Sequence, residues 1–284
     1  MISIGLAILD VAIVLIISAL GLRTPPKDIL HLFRKPVIIG RALLSMFVFM
    51  PACTLLMTWS LPLEPAIRGS LLALSVAPLA PILSGASTKA EMEGNFMLAL
   101  QIFSALATIV SVPLMLNLVE YIFNFETRYP MGEITWVITK QIVIPLTIGL
   151  SLSVFIGHKS ERIAFWLDRI GTIALIIGMV MILSIVLPNV WGMMVNGRLL
   201  SVIAFTALVL VGGYLFGGSQ KGIRDNIIMA GAQRHPGIAY LIATVALPAE
   251  EDRIIAVIVL FVLFGTIATL PYILTFKNKK KTDN

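Results

Sequence analysis

The chain has 284 residues, of which 58% are hydrophobic and 13% charged. That little charge cannot cover the surface of a soluble domain of this length. At about 20 apolar residues per span, the chain has room for about eight to ten membrane helices. The one cysteine, Cys53, excludes an intrachain disulfide and a cysteine-based metal cluster. The three histidines, His31, His158 and His235, are far apart and form no HExxH-type pair.

Nine hydrophobic segments follow one another, at about 2–22, 37–59, 66–86, 95–123, 134–156, 168–191, 198–217, 225–247 and 254–276; each is close to the length of one membrane helix. None alternates as a membrane-barrel strand would, so all nine are expected to be helices. The first carries Asp10 and lacks both a basic leader and a small-residue cleavage site, so it reads as a retained span.

Nine spans put the termini on opposite sides, and basic residues choose which. With the C-terminus inside, the inner segments hold Arg23, Lys27, Arg34, Lys35, Lys89, Lys159, Arg162, Arg169, Lys221, Arg224, Lys277, Lys279, Lys280 and Lys281, 14 of the 21 basic residues. The outer segments hold four: Arg68, Arg128, Arg198 and Arg253. Arg41, Lys140 and Arg234 fall within spans or at their ends. The expected orientation is N-terminus outside and C-terminus cytoplasmic, in the cell (inner) membrane. The formal charge of +6 then faces anionic lipid and does not call for nucleic acid.

An internal repeat runs through the chain. "IRGSLLALSVAPLAPI" from Ile67 and "IRDNIIMAGAQRHPGI" from Ile223 both open on Ile-Arg. Both break at the same depth, at Pro78 and Pro81 in the first and at Pro236 and Gly237 in the second. "EMEG" and "EEDR" follow, and then spans with Ala-Thr before Pro113 and Pro271. The matching spans are the third and the eighth, which face opposite ways, so the repeat is inverted. Residues 1–123 form the first repeat (spans one to four) and 168–276 the second (spans six to nine). Residues 124–167 are a connecting fifth span with a cytoplasmic loop, and 277–284 a basic tail. Proline frees backbone groups, and in lipid these must be met by protein or a wet cavity. Interrupted spans at matching places in inverted halves point to a transporter's central site, with helix N-termini for an anion and free carbonyls for a cation.

Together these residues resemble the bile acid:sodium symporter family. The similarity follows the chain in order through "LGLRTPPKDILHLFRKPVIIGRALLSMFVFMP" from Leu20, "SVAPLAPILSGA" from Ser75 and "AGAQRHPGIA" from Ala230. The resemblance implies an all-α polytopic membrane protein of nine transmembrane helices, with two broken, crossing helices and panel and core domains. It also implies secondary transport of an organic anion, usually with sodium. Several sodium-site positions depart from the family: Met229 stands where a glutamate is usual, Met46 where a glutamine is usual, and Leu83 and Ser84 where a Ser-Asn pair is usual. Gln233, Ser104 and Thr108 keep the residual sodium-ligand types.

Arg234 stands beside Gln233 as a permanent cation. It is expected to serve as a tethered replacement for sodium rather than as a snorkelling residue, and to face a cavity or a partner. His235 either carries a coupling proton or bonds a freed carbonyl. Asp10 leaves three roles open: an ion pair with Arg234 or Arg41, proton carriage, or simple hydration. Ser104 and Thr108 either bind a ligand or bond carbonyls one turn back. Lys89, Glu91 and Glu93 read as a solvated loop.

The expected function is transport of a small organic anion by alternating access, with no catalytic residues and no cofactor beyond sodium or a proton as coupling ion. Membrane lipids are the expected surroundings. A proton-coupled or efflux carrier of the related auxin-efflux type is the alternative. A membrane-embedded lipid-modifying enzyme would need a carboxylate cluster for a divalent metal, and the acidic runs "EMEGN" and "PAEEDR" do not make one. The residues leave the substrate, the direction of flux and the oligomeric state open.

Overall fold

The computed structural model describes residues 2–24, 36–80, 94–123, 132, 136, 139–157, 159–195 and 198–282. Ten helices account for nearly all of them: α1 (Ile2–Arg23), α2 (Pro36–Ser60), α3 (Pro65–Val76), α4 (Gly94–Phe123), α5 (Thr139–Ile156), α6 (Lys159–Val195), α7 (Arg198–Gly217), α8 (Lys221–Ala232), α9 (Pro236–Ala246) and α10 (Glu251–Thr282). Among the described residues, one isolated β-bridge stands in for any sheet. The described parts of the hydrophobic segments read from the sequence fall on helices, except that the third leaves its helix after Val76 and the eighth is divided between α8 and α9; residues 81–86 of the third and 134–135 and 137–138 of the fifth lie outside the described residues. Among the described residues, five helices are long and apolar enough to cross a membrane: α2, α5, and residues Leu100–Ile122 of α4, Leu199–Gly217 of α7 and Glu251–Tyr272 of α10.

Proline sets much of the local geometry. Pro65 and Pro236 each sit in the first turn of a helix, where the missing N–H costs nothing. Pro78 follows the last turn of α3, and the residue before a proline is driven out of the helical region; Ala77 is accordingly extended at ψ 147°. Inside α2 and α5 the chain widens into one π-helical turn, Ser45–Phe49 and Thr139–Val143. Each widened turn ends two residues before a proline, Pro51 or Pro145. A residue five before such a proline has no i+5 donor for its carbonyl.

The chain packs as two compact units. One comprises Met1–Pro36 and Tyr129–Leu187, the other Val37–Arg128 and Pro188–Asn284. In the first unit, α1 and α5 run parallel and touch backbone to backbone. A Cβ on Gly21 would lie 2.5 Å from the Leu146 carbonyl oxygen, and one on Gly149 would strike that of Ser18. α6 runs the other way along α1: Gly178 meets Leu9, Gly171 meets Ile16 and Asp168 pairs with Arg23 at 3.1 Å. Small residues at such seams give close van der Waals packing, which holds helices together in lipid.

In the second unit, α7 and α8 form an equally close antiparallel pair. A Cβ on Gly213 would sit 2.6 Å from the Ile228 Cα, and one on Gly217 2.6 Å from the Arg224 Cα. Phe205 on α7 and Phe261 on α10 meet edge to face, with centroids 5.3 Å apart, a favoured arrangement for buried rings.

The glycine seam of the first unit generates a test. Gly149→Ala is expected to destabilise the purified protein by about 1–3 kcal/mol through overpacking. Gly40→Ala, where a Cβ meets nothing within 4 Å, is expected to be neutral or stabilising by up to about 1 kcal/mol. Thermal unfolding in detergent reads both.

Candidate functional site

The two interrupted segments meet in the second unit. Leu79, in the first break, pairs antiparallel with Arg234, in the second. The His235 N–H donates to the Pro78 carbonyl at 2.8 Å, and the Ala80 N–H donates to the Gln233 carbonyl at 2.8 Å. Backbone groups that each half-helix gives up at its break are thus satisfied by the other. This is the solution that a low-dielectric interior demands, because an unpaired buried amide costs several kcal/mol.

Arg234 is the largest fully buried side chain, at 1% exposure. Its Nη1 donates to the Ala77 carbonyl at 3.0 Å and its Nη2 to the Met46 carbonyl at 2.9 Å. Both acceptors have a reason to be free. Ala77 closes α3, where the helix dipole is negative. Met46 lies five residues before Pro51, which has no N–H to offer its carbonyl. The guanidinium also lies 5.6 Å from the Phe47 ring centroid, within cation–π range. No carboxylate pairs with it among the described residues, and its Nε has no hydrogen-bond partner. The cation therefore has partners, and they are carbonyl oxygens, the ligand type that suits a hard cation.

The hydroxyls of α4 complete the lining. Ser104 Oγ accepts from the Leu79 N–H at 3.2 Å and donates to the Gln101 carbonyl at 2.9 Å. Thr108 Oγ1 donates to the Ser104 carbonyl at 2.8 Å and reaches the Val76 carbonyl at a long 3.5 Å. Each hydroxyl bonds a carbonyl of its own helix, and each also touches the break. Gln101, three residues before Ser104, shares their face. It is 3% exposed, and its Nε2 has no partner. The three-and-four spacing of Gln101, Ser104 and Thr108 was the signal that could have found it.

A model of the sodium bile acid symporter family matches residues 10–194, well over half of the 284. The chain belongs to the sodium bile acid symporter family. Its members are membrane transporters rather than enzymes, and this chain is a multi-pass membrane protein of that kind. No curated protein matches it. The family match stops before α8 and the second break, the stretch in which the motif is most altered.

In this family member Met229 and Met46 are buried, at 4% and 0% exposure. Among the described residues no cluster of three or more His, Cys, Asp or Glu is placed to hold a metal ion. Gln233 is half-buried, and its Oε1 is a buried acceptor without a partner. Pro81 and Ser84, expected at the first break, lie outside the described residues, as do Leu83, Lys89, Glu91 and Glu93.

One expectation needs correction. His235 does not bond a freed carbonyl. Its Nδ1 accepts the Ile238 N–H at 3.4 Å and so caps α9, because a helix N-terminus lacks acceptors, not donors. Its Nε2 is buried without a partner. A proton on Nδ1 would remove the cap. Asp10 and the two arginines considered for it, Arg234 and Arg41, belong to different units. Asp10 lies in the first unit, where Gln141 Nε2 donates to its Oδ1 at 3.0 Å. Arg41 packs against Gly218, whose φ of +75° and lack of a Cβ admit the guanidinium.

Arg234→Leu should strand two buried carbonyls at about 1–3 kcal/mol each. His235→Ala should cost about 1 kcal/mol of cap, and His235→Asn should retain most of it. Melting temperatures of the three variants give the order: Arg234→Leu lowest, then His235→Ala, then His235→Asn near wild type.

Proposed function

We propose that this chain is a secondary carrier of a small organic anion. It works by alternating access without sodium, and Arg234 is the tethered cation in the place that sodium takes in relatives. One observation carries the reading. A fully buried guanidinium, with no carboxylate beside it, is bound by carbonyl oxygens at a helix end and a π-turn. Two positions that resemble sodium ligands are methionines, Met46 in that π-turn and Met229 on α8. A second cation there would face the first one's repulsion and find its ligands taken.

Around the crossing, Arg234 Nε, His235 Nε2 and Gln101 Nε2 are buried nitrogens without partners. With His235 Nδ1 accepting, Nε2 holds the proton of the neutral ring. Three unspent donors favour an anionic solute, and Gln233, Ser104, Thr108, Pro78, Pro236 and Gly237 frame the same place. Nine spans fit the parallel run of α1 with α5 and the antiparallel run of α6, since the first and fifth of alternating spans point one way and the sixth the other. In this reading the first unit is the panel and the second the core. The N-terminus is outside, the basic tail is cytoplasmic, and the protein sits in the cell (inner) membrane.

Melting curves in sodium against potassium chloride test the reading. Wild type is expected to melt at the same temperature in both. Met229→Glu with Arg234→Asn restores the family's residue types and is expected to gain a sodium-dependent rise; a site filled at 100 times its Kd adds about 2.7 kcal/mol. Sodium-specific stabilisation of the wild type, or solute uptake into vesicles that requires sodium, would overturn the sodium-free reading.

A further inference from the structure

Asp10 is an exposed carboxylate within α1, the apolar helix read from the sequence as the first span. It lies eight residues after the start of α1, about 12 Å along the axis. Ionisable side chains at such depth face water or a partner rather than hydrocarbon. Its partner is an amide, and the contact is half-made. Gln141 Nε2 donates to Asp10 Oδ1 at 3.0 Å. On the same planar amide, Gln141 Oε1 is buried and has no hydrogen-bond partner, in a residue only 8% exposed.

A carboxylate and an amide side by side make one hydrogen bond, and the second carboxylate oxygen and the amide oxygen, both acceptors, cannot bond each other. A carboxylic acid and an amide make two: N–H to one carboxyl oxygen and O–H back to the amide oxygen. The structure holds the first bond and the vacant acceptor of the second. What completes the ring is a proton.

We propose that Asp10 and Gln141 form a proton-binding site in the membrane part of the first unit, and that this proton is the carrier's coupling ion. The inference deepens the sodium-free reading by naming the ion, and it rests on that reading for the proton's part in transport. The step is a simple association. A proton from water binds Asp10 Oδ2, the new O–H donates to Gln141 Oε1, and release returns the proton to water.

The surroundings leave the pair in control of the site. Lys140, in the same π-helical turn as Gln141, is the charged neighbour whose field reaches Asp10. One turn away on α1 are Leu6, Ala7, Ile13 and Val14. The stretch of α6 packed against α1, from Gly171 to Gly178, carries no titratable side chain. The π-turn before Pro145 sets the register at which Gln141 meets α1.

Infrared difference spectroscopy of the full-length protein in lipid, stepped in pH in potassium chloride, reads the site directly. Wild type minus Asp10→Asn is expected to show a protonated-carboxyl carbonyl band that grows on acidification. Gln141→Met keeps the band and moves it to higher frequency, because the acid has lost its ring partner. Exchanging potassium for sodium at constant pH leaves the band unchanged. The proposal fails if no Asp10-dependent band appears at any pH, if the band stays put in Gln141→Met, or if sodium abolishes it by bridging the two oxygens. Failure of the sodium-free reading looks different: sodium raises the melting temperature while the Asp10 band remains as described.

Discussion

In lipid every backbone N–H and C=O must find a partner inside the protein, and a helix broken at mid-membrane violates that rule twice over. The second unit meets it by breaking two helices at one place. Pro78 and Gln233 expose carbonyls, Ala80 and His235 expose amides, and the two breaks exchange them. Two acceptors remain, Ala77 at the end of α3 and Met46 ahead of Pro51, and one arginine takes both. Most of the local geometry serves this exchange: Ser104 holds the Leu79 amide, Pro236 begins α9 where no N–H is needed, and His235 caps it.

Much of this was legible beforehand. Length and hydropathy pointed to an all-helical, multi-pass chain because a bilayer leaves a chain so few alternatives. The repeat of Ile-Arg, break and acidic run located both breaks because proline acts locally. What the residues did not disclose was direction. An arginine in a membrane segment announces a partner but not which one, and the partner proved to be backbone, which has no letter in a sequence. Met46 as an acceptor follows only from counting back five residues from Pro51 and knowing that the turn is π-helical. The His235 cap was equally hidden, since the ring could offer a donor or an acceptor and the choice belongs to the fold.

Asp10 shows the opposite case. It stands within an apolar helix, and the arginines within spans or at their ends, Arg41 and Arg234, were the mates considered for it. The chain brings it to Gln141, because α1 packs on α5 along the seam of Gly21 and Gly149. Two glycines that carry no chemistry thus decide which polar groups meet. An amide is a milder companion than a guanidinium. It does not fix the carboxylate's charge, and it leaves the group able to change state.

The fastening at the breaks also has a mechanical side. Met46 lies on α2, Ala77 at the end of α3, Ser104 on α4, and Arg234 between α8 and α9. One side chain and a few backbone pairs bind α2 and α4 partway along their lengths and α3, α8 and α9 at the ends that face the breaks. Parting these helices at the fastening would bare a charge and its carbonyls to lipid, so a displacement that leaves the fastening whole costs less than one that opens it.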